Sequence, residues 1–139
     1  MYDPELIRPF REELTRIGAK ELLTAPEVDA WLAEGGSGLL VINSVCGCAA
    51  GSARPGVGIA MQHPTRPERF ATVFAGQDKE ATAQARAHFA DVPPSSPSIA
   101  LVVDGKLVDF LPRHRIERRM PQEIAQDLVA MFEKHLAAN

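Results

Sequence analysis

Few folds tolerate the run "LLVIN" at 39–43 followed so soon by both cysteines of the chain, Cys46 and Cys48. A continuous apolar run of this length, bounded by turn residues, suits a strand buried on both faces, and such a strand needs helices above and below its sheet. Its carboxyl end is where open α/β sheets usually place their sites. The cysteines fall there, with only Gly47 between them.

The flanking segments fill in the rest. Asp3 and Pro4 open an apolar stripe, Leu6, Ile7, Phe10, Leu14 and Ile17, which predicts a first helix ended by Gly18. Thr24-Ala25-Pro26 starts a second, through Val28, Trp31 and Leu32, closed by "EGGSG" at 34–38. Residues 55–63, with Gly56 and Gly58, predict a weaker helix that Pro55 starts or kinks. "RFATVFA" at 69–75 alternates as a second strand, Asp78 is placed to cap the helix "KEATAQARAHF", and "DVPPSSPS" at 91–98 is a proline-rich loop. "IALVV" and "KLVDFL" flank Asp104-Gly105, a strong hairpin signal, and Pro121 opens a last helix through Ile124, Leu128, Met131 and Phe132. Two helices, then βαβα, a hairpin and a terminal helix describe an α/β protein with a thioredoxin-like fold: a central mixed sheet flanked by helices, with an N-terminal helical extension. One domain is expected over residues 1–139, with N-terminal helices at 1–35 and the thioredoxin-like core at 39–136.

A cysteine attacks as its thiolate, and the junction of a strand and a helix N-terminus favours that anion through unpaired N–H groups and the helix dipole. A disulfide across Gly47 closes a tight ring, better suited to turnover than to permanent stapling, and Gly47 gives the backbone freedom to form it. Spacing alone leaves a metal site or incidental core cysteines open. A metal would need further ligands from His63, His88, His114, His135 or carboxylates, and the histidines show no paired spacing; no metal site is assigned. Ser96-Pro97, just before a strand, is a candidate cis peptide that would turn the Ser96 backbone toward the sulfurs. Arg54 can add positive charge or bind substrate, although an exposed, solvated side chain is its default; Arg113, in "PRHRIERR" at 112–119, can hold the carboxylates of a small acidic thiol or simply lead into the last helix.

The net charge of −3 removes the general electrostatic case for nucleic acid, and neither a leader nor an apolar run of membrane-spanning length is seen, so neither nucleic acid nor membrane is expected as a partner. A cytoplasmic location follows, where closely spaced cysteines more often signal redox or metal chemistry than structural disulfides.

Four segments in one order, "VCGCAAGSARP", "TVFAGQDKEAT", "PPSSPSIAL" and "FLPRHRIE", together resemble the bacilliredoxin family over nearly the whole chain. The resemblance implies a thioredoxin-like Cys-Gly-Cys oxidoreductase that removes bacillithiol, or a similar low-molecular-weight thiol, from S-thiolated client proteins, with disulfide isomerase or reductase activity also ascribed to the family. It makes Cys46 the attacking cysteine and Cys48 the resolving one, supports a cis Pro97, and implies no bound cofactor, the thiol being substrate and adduct. The chain is expected to act as a monomer or weak dimer. The competing expectations are a metal-binding module using both sulfurs and a non-catalytic thioredoxin-like interaction domain.

Overall fold

The computed structural model describes residues 2–136. Five helices, α1 (Pro4–Thr15), α2 (Ala25–Ala33), α3 (Arg54–Ala60), α4 (Lys79–His88) and α5 (Pro121–Leu136), surround five strands, β1 (Lys20–Glu21), β2 (Ser37–Asn43), β3 (Arg69–Phe74), β4 (Ser98–Val103) and β5 (Lys106–Leu111). The sheet order is β1-β3-β2-β4-β5; β1, β3 and β2 run parallel, whereas β4 and β5 pair antiparallel. Among the described residues no helix is long and apolar enough to cross a membrane.

Strand β2 lies at the centre and is buried along its whole length. Alternation along it divides the core: Leu39 and Val41 meet Leu14, Val57, Ile124, Leu128 and Phe132 on one face, while Leu40 and Ile42 meet Val28, Trp31, Ala85 and Phe89 on the other. The two-sided apolar character of the run thus follows from helices packed on both faces.

Local signals explain most element boundaries. Asp3 Oδ1 accepts the Glu5 amide at 2.9 Å, and Thr24 Oγ1 accepts the Glu27 amide at 3.3 Å while the Glu27 carboxylate reaches back to the Leu23 amide at 2.7 Å. Asp104 and Gly105 have φ values of 51° and 79°, both left-handed, as a two-residue hairpin loop between right-twisted strands requires. Asp104 Oδ1 also accepts the Gly36 amide at 2.8 Å, tying the hairpin to the start of β2.

Three local features depart from expectation. Between the two N-terminal helices the structure adds β1, whose Lys20 and Glu21 pair with Ala71 and Thr72 of β3, so this segment also supplies a sheet edge. Two residues are too few to show strand periodicity. Asp78 makes no side-chain cap to α4; its carboxylate instead takes both ends of the Arg11 guanidinium, at 2.7 and 3.0 Å. A bidentate ion pair outcompetes a single amide, and this bond is the main cause holding the Arg11 guanidinium pKa above its ordinary value. Third, the helix expected at 55–63 begins much earlier: helical backbone runs from residue 47, through a π turn at Ala49–Ala53, into α3. Pro55 lacks the N–H that would bond residue 51, and the Arg54 amide bonds Ala49 across the wider turn.

The arginine-rich segment is anchored to α5. Arg119 Nη1 donates to Asp127 Oδ2 at 2.5 Å and Arg115 Nη2 to the same oxygen at 3.3 Å. The Arg119 hydrogen bond is the largest cause holding the Asp127 carboxyl below its ordinary pKa of 3.8. A depressed folded-state pKa means the stabilisation is complete above about pH 3.8 and is lost as pH falls through the folded value. Asp127→Asn is therefore expected to cost about 0.5–1 kcal/mol at pH 7 by urea unfolding, with the difference shrinking by about pH 3. An equal difference at both pH values would show that the carboxylate charge is not what anchors the segment.

Candidate functional site

Three residues beyond Asn43, the chain leaves β2 and turns at Cys46 into helical backbone. The Cys46 carbonyl accepts the amides of Ala49 and Ala50 at 3.0 and 3.3 Å, which places Cys46 at the cap of the turn that follows. Cys46 and Cys48 are joined by a disulfide, with their Cα atoms 5.5 Å apart. Gly47 between them is exposed, its φ lies outside the left-handed region, and a Cβ built on it would meet nothing within 4 Å. In this oxidised form neither space nor a left-handed backbone requires glycine there.

The two sulfurs have different surroundings. Cys46 opens into a surface cleft of about 290 Å³ whose walls include Tyr2, Ser44, Arg86, Ser96 and Arg113. Cys48 instead packs against the core cluster formed by α3 and α5 with the sheet. The Ser96–Pro97 peptide is cis, Pro97 is buried, and Ser96 stands in the same cleft as Cys46. The exposed Arg113 donates from Nη1 to the Ser96 carbonyl at 3.2 Å and from Nε to Glu117 at 3.2 Å.

Arg54 is placed differently from its sequence expectation. It is only 2% exposed and lies beneath the turn, not in the cleft wall, so it is corrected from a solvated or substrate-binding side chain to an internal one. Its Nη1 donates to Asn43 Oδ1 and to the Ser44 carbonyl, both at 2.9 Å; its Nε donates to Glu13 Oε2 at 3.0 Å. The guanidinium carbon lies 4.9 Å from the centroid of the Phe10 ring. The turn's own polar groups draw it inward: Asn43 ends a fully buried strand, Ser44 follows it and is also buried, and both need donors that water cannot supply. Asn43 in turn accepts the Ser44 amide at 2.9 Å and donates to the Phe10 carbonyl at 3.1 Å, and Ser44 Oγ accepts the Cys46 amide at 3.2 Å.

Tyr2, Ser44 and Arg86 also line the cleft, and none of them is among the candidate site residues expected from the sequence. Ser44 had a usable signal, a short hydroxyl side chain directly after a strand and before the cysteines, where such groups bond nearby amides. Arg86 had none: it sits within an alanine-rich helix, and only the fold brings it to the cleft, where Nη2 donates to the Ser95 carbonyl at 3.3 Å. Among the described residues, no group of three or more His, Cys, Asp or Glu is placed to hold a metal ion.

Comparison with known proteins agrees with this architecture. The chain resembles Fasciola hepatica thioredoxin (TM-score 0.59, 22% identity, covering 84% of this chain and 98% of that one) and Chlamydomonas reinhardtii thioredoxin f2 (TM-score 0.59, 12% identity, covering 88% and 100%). At these identities the likeness establishes the thioredoxin fold alone. A family model described as disulphide isomerase matches residues 2–136. A bacilliredoxin of Shouchella clausii is 48% identical over 135 residues, 96% of this chain and 93% of the relative. One of Cytophaga hutchinsonii is 46% identical over 134 residues, 96% and 99%. One of Koribacter versatilis is 48% identical over 139 residues, 99% and 96%. Similarity of this depth over nearly the full length of both partners, on a thioredoxin fold with a paired Cys-Gly-Cys at the end of its central strand, shows that the chain belongs to the bacilliredoxin family of thioredoxin-like redox proteins.

Proposed function

We propose that the protein is a thiol-disulfide oxidoreductase that removes a low-molecular-weight thiol, bacillithiol or one like it, from S-thiolated client proteins. The observation that carries this reading is the asymmetry of the pair: Cys46 faces the cleft and Cys48 packs against the core. Cys46, as thiolate, attacks the small-thiol sulfur of the client's mixed disulfide. A new bond forms to Cys46 Sγ, the client's sulfur leaves as a thiolate and takes a proton, and the client is reduced. Cys48, as thiolate, then attacks Cys46 Sγ; the small thiol leaves, and the Cys46–Cys48 disulfide remains. Two electrons from an external thiol reductant return the pair to its dithiol form.

Arg86 and Arg113 flank Cys46 and offer cationic partners to the carboxylates of an acidic thiol. The Ser96 carbonyl, which already accepts from Arg113 Nη1, keeps a second lone pair with which to pair an extended client segment. An apolar groove of about 530 Å³ lined by Val92, Pro93, Pro94 and Phe110 continues past Arg113 and gives a client's chain somewhere to lie. The sulfurs carry both electrons, so no bound cofactor enters the scheme, and the reducing cytoplasm is the proposed location. Disulfide isomerase activity uses the same first step when the mixed disulfide is formed with a client cysteine.

Intact mass spectrometry of the Cys48→Ser protein, incubated with a bacillithiolated model protein and separately with a glutathionylated one, tests this reading. A bacillithiol-sized gain on Cys46 with matching loss from the donor is the expected result. A gain from the glutathione donor alone would keep the mechanism and replace the thiol. No gain from either donor would overturn the assignment.

A further inference from the structure

Arg54 is a full charge buried under the cysteine turn, and its surroundings do not neutralise it evenly. Its side chain is 1% exposed, whereas that of its one carboxylate partner, Glu13, is 41% exposed and shares its charge with solvent. Nη2 is buried without any hydrogen-bond partner. Every other polar contact of the guanidinium runs to the turn itself, through Asn43 Oδ1 and the Ser44 carbonyl. From there one further hydrogen bond, Ser44 Oγ to the Cys46 amide, reaches the cysteine.

We propose that Arg54 is a positioning residue for the Cys46 thiolate: it fixes the turn from below through Asn43 and Ser44, and it supplies a buried positive charge that Glu13 tempers. The inference rests on Cys46 being the attacking thiol. A buried positive charge beneath the turn favours the thiolate that the turn carries, and the hydrogen bonds through Ser44 keep that sulfur aimed into the cleft. Glu13 lies on α1, outside the cleft, so α1 can alter the chemistry without touching substrate. The other charged or titratable groups facing Cys46 are Arg86 of α4, Arg113 after β5, and Tyr2. All three stay unchanged in the variants below.

The test is direct titration of the Cys46 thiolate by its ultraviolet absorbance in the Cys48→Ser background, where one thiol remains. Arg54→Met is expected to raise the titration midpoint by about one unit and to slow reaction with a small disulfide at neutral pH by roughly 5–10-fold. Glu13→Gln is expected to move the midpoint the opposite way, because the arginine loses its counter-ion. Arg54→Lys keeps the charge but not the fork, so its midpoint stays near the parent while the reaction slows through a looser turn. A purely structural arginine predicts no opposed shifts. Midpoints that coincide in the parent and Glu13→Gln, or that move in one direction for Arg54→Met and Glu13→Gln, would overturn the proposal. If Arg54→Met does not fold, Glu13→Gln, altered at a half-exposed position, decides alone. Because titration needs no turnover, its result is separable from failure of the functional assignment, which an active Cys46→Ser protein would reveal.

Discussion

Cys46→Ser is expected to abolish removal of a small thiol from a protein mixed disulfide, with turnover falling by roughly 10³-fold or more. A serine hydroxyl at neutral pH supplies almost no anion and forms no disulfide, so the first bond of the scheme cannot form. Cys48→Ser should behave differently. It retains the sulfur that opens into the cleft and loses the one packed against the core, so one thiol is taken up per protein and turnover then stops. Single-turnover and steady-state assays on both variants separate the roles. Were Cys48→Ser inert in the first step while Cys46→Ser still accepted the thiol, the direction of attack would be reversed, and the cleft beside Cys46 would be the wrong place to look for substrate. Neither substitution is expected to shift unfolding of the reduced protein by much, since both positions are only partly buried.

Four of the five strands were readable because their signals are local, whereas the two-residue β1 was not. The run at 39–43 is apolar on both sides because α3 and α5 cover one face and α2 and α4 the other, and Asp104-Gly105 encodes its turn in two residues. The position of the cysteines after the central strand followed from chain order alone. What could not be read depends on partners distant in sequence. Asp78 has the residue type and place of a helix cap, yet Arg11, 67 positions away, takes its carboxylate. Arg54 has the composition of a surface residue, but the unpaired acceptors of Asn43 and Ser44 and the ring of Phe10 make burial the better place for it. Arg86 reaches the cleft only because α4 packs against the sheet face that includes Ala71 and Val73. Composition reports what a side chain prefers by itself; these three are decided by what already occupies the low-dielectric space around them.

Gly56→Ala is expected to be the most damaging single-methyl change in the helix that carries Arg54. A Cβ at this position would lie 2.7 Å from Ile124 Cβ, 2.8 Å from Ile124 Cγ2 and 3.0 Å from the Pro121 carbonyl oxygen. None of these is the loose end of a flexible side chain: Ile124 is β-branched, fully buried and held in one rotamer by α5, and the carbonyl belongs to the backbone. The added carbon can be accommodated only by moving α3 away from α5. Alanine gains about 1 kcal/mol over glycine in helix propensity, but overpacking of a close-packed contact costs about 1–3 kcal/mol and here meets rigid atoms on two sides, so a net loss of about 1–2 kcal/mol is expected. Gly47→Ala, with open space around its Cβ, should stay within about 0.5 kcal/mol of the parent under the same denaturant titration. The comparison also bears on chemistry. Arg54 occupies the first position of α3, so a displaced helix draws the guanidinium from Asn43 and Ser44, and Gly56→Ala should lower the Cys46 thiolate fraction even at temperatures where the protein remains folded. A Gly56→Ala protein that matches the parent in both stability and thiolate titration would mean that α3 is free to shift without consequence, and the mechanical link from α5 through α3 to the cysteine turn would have to be abandoned.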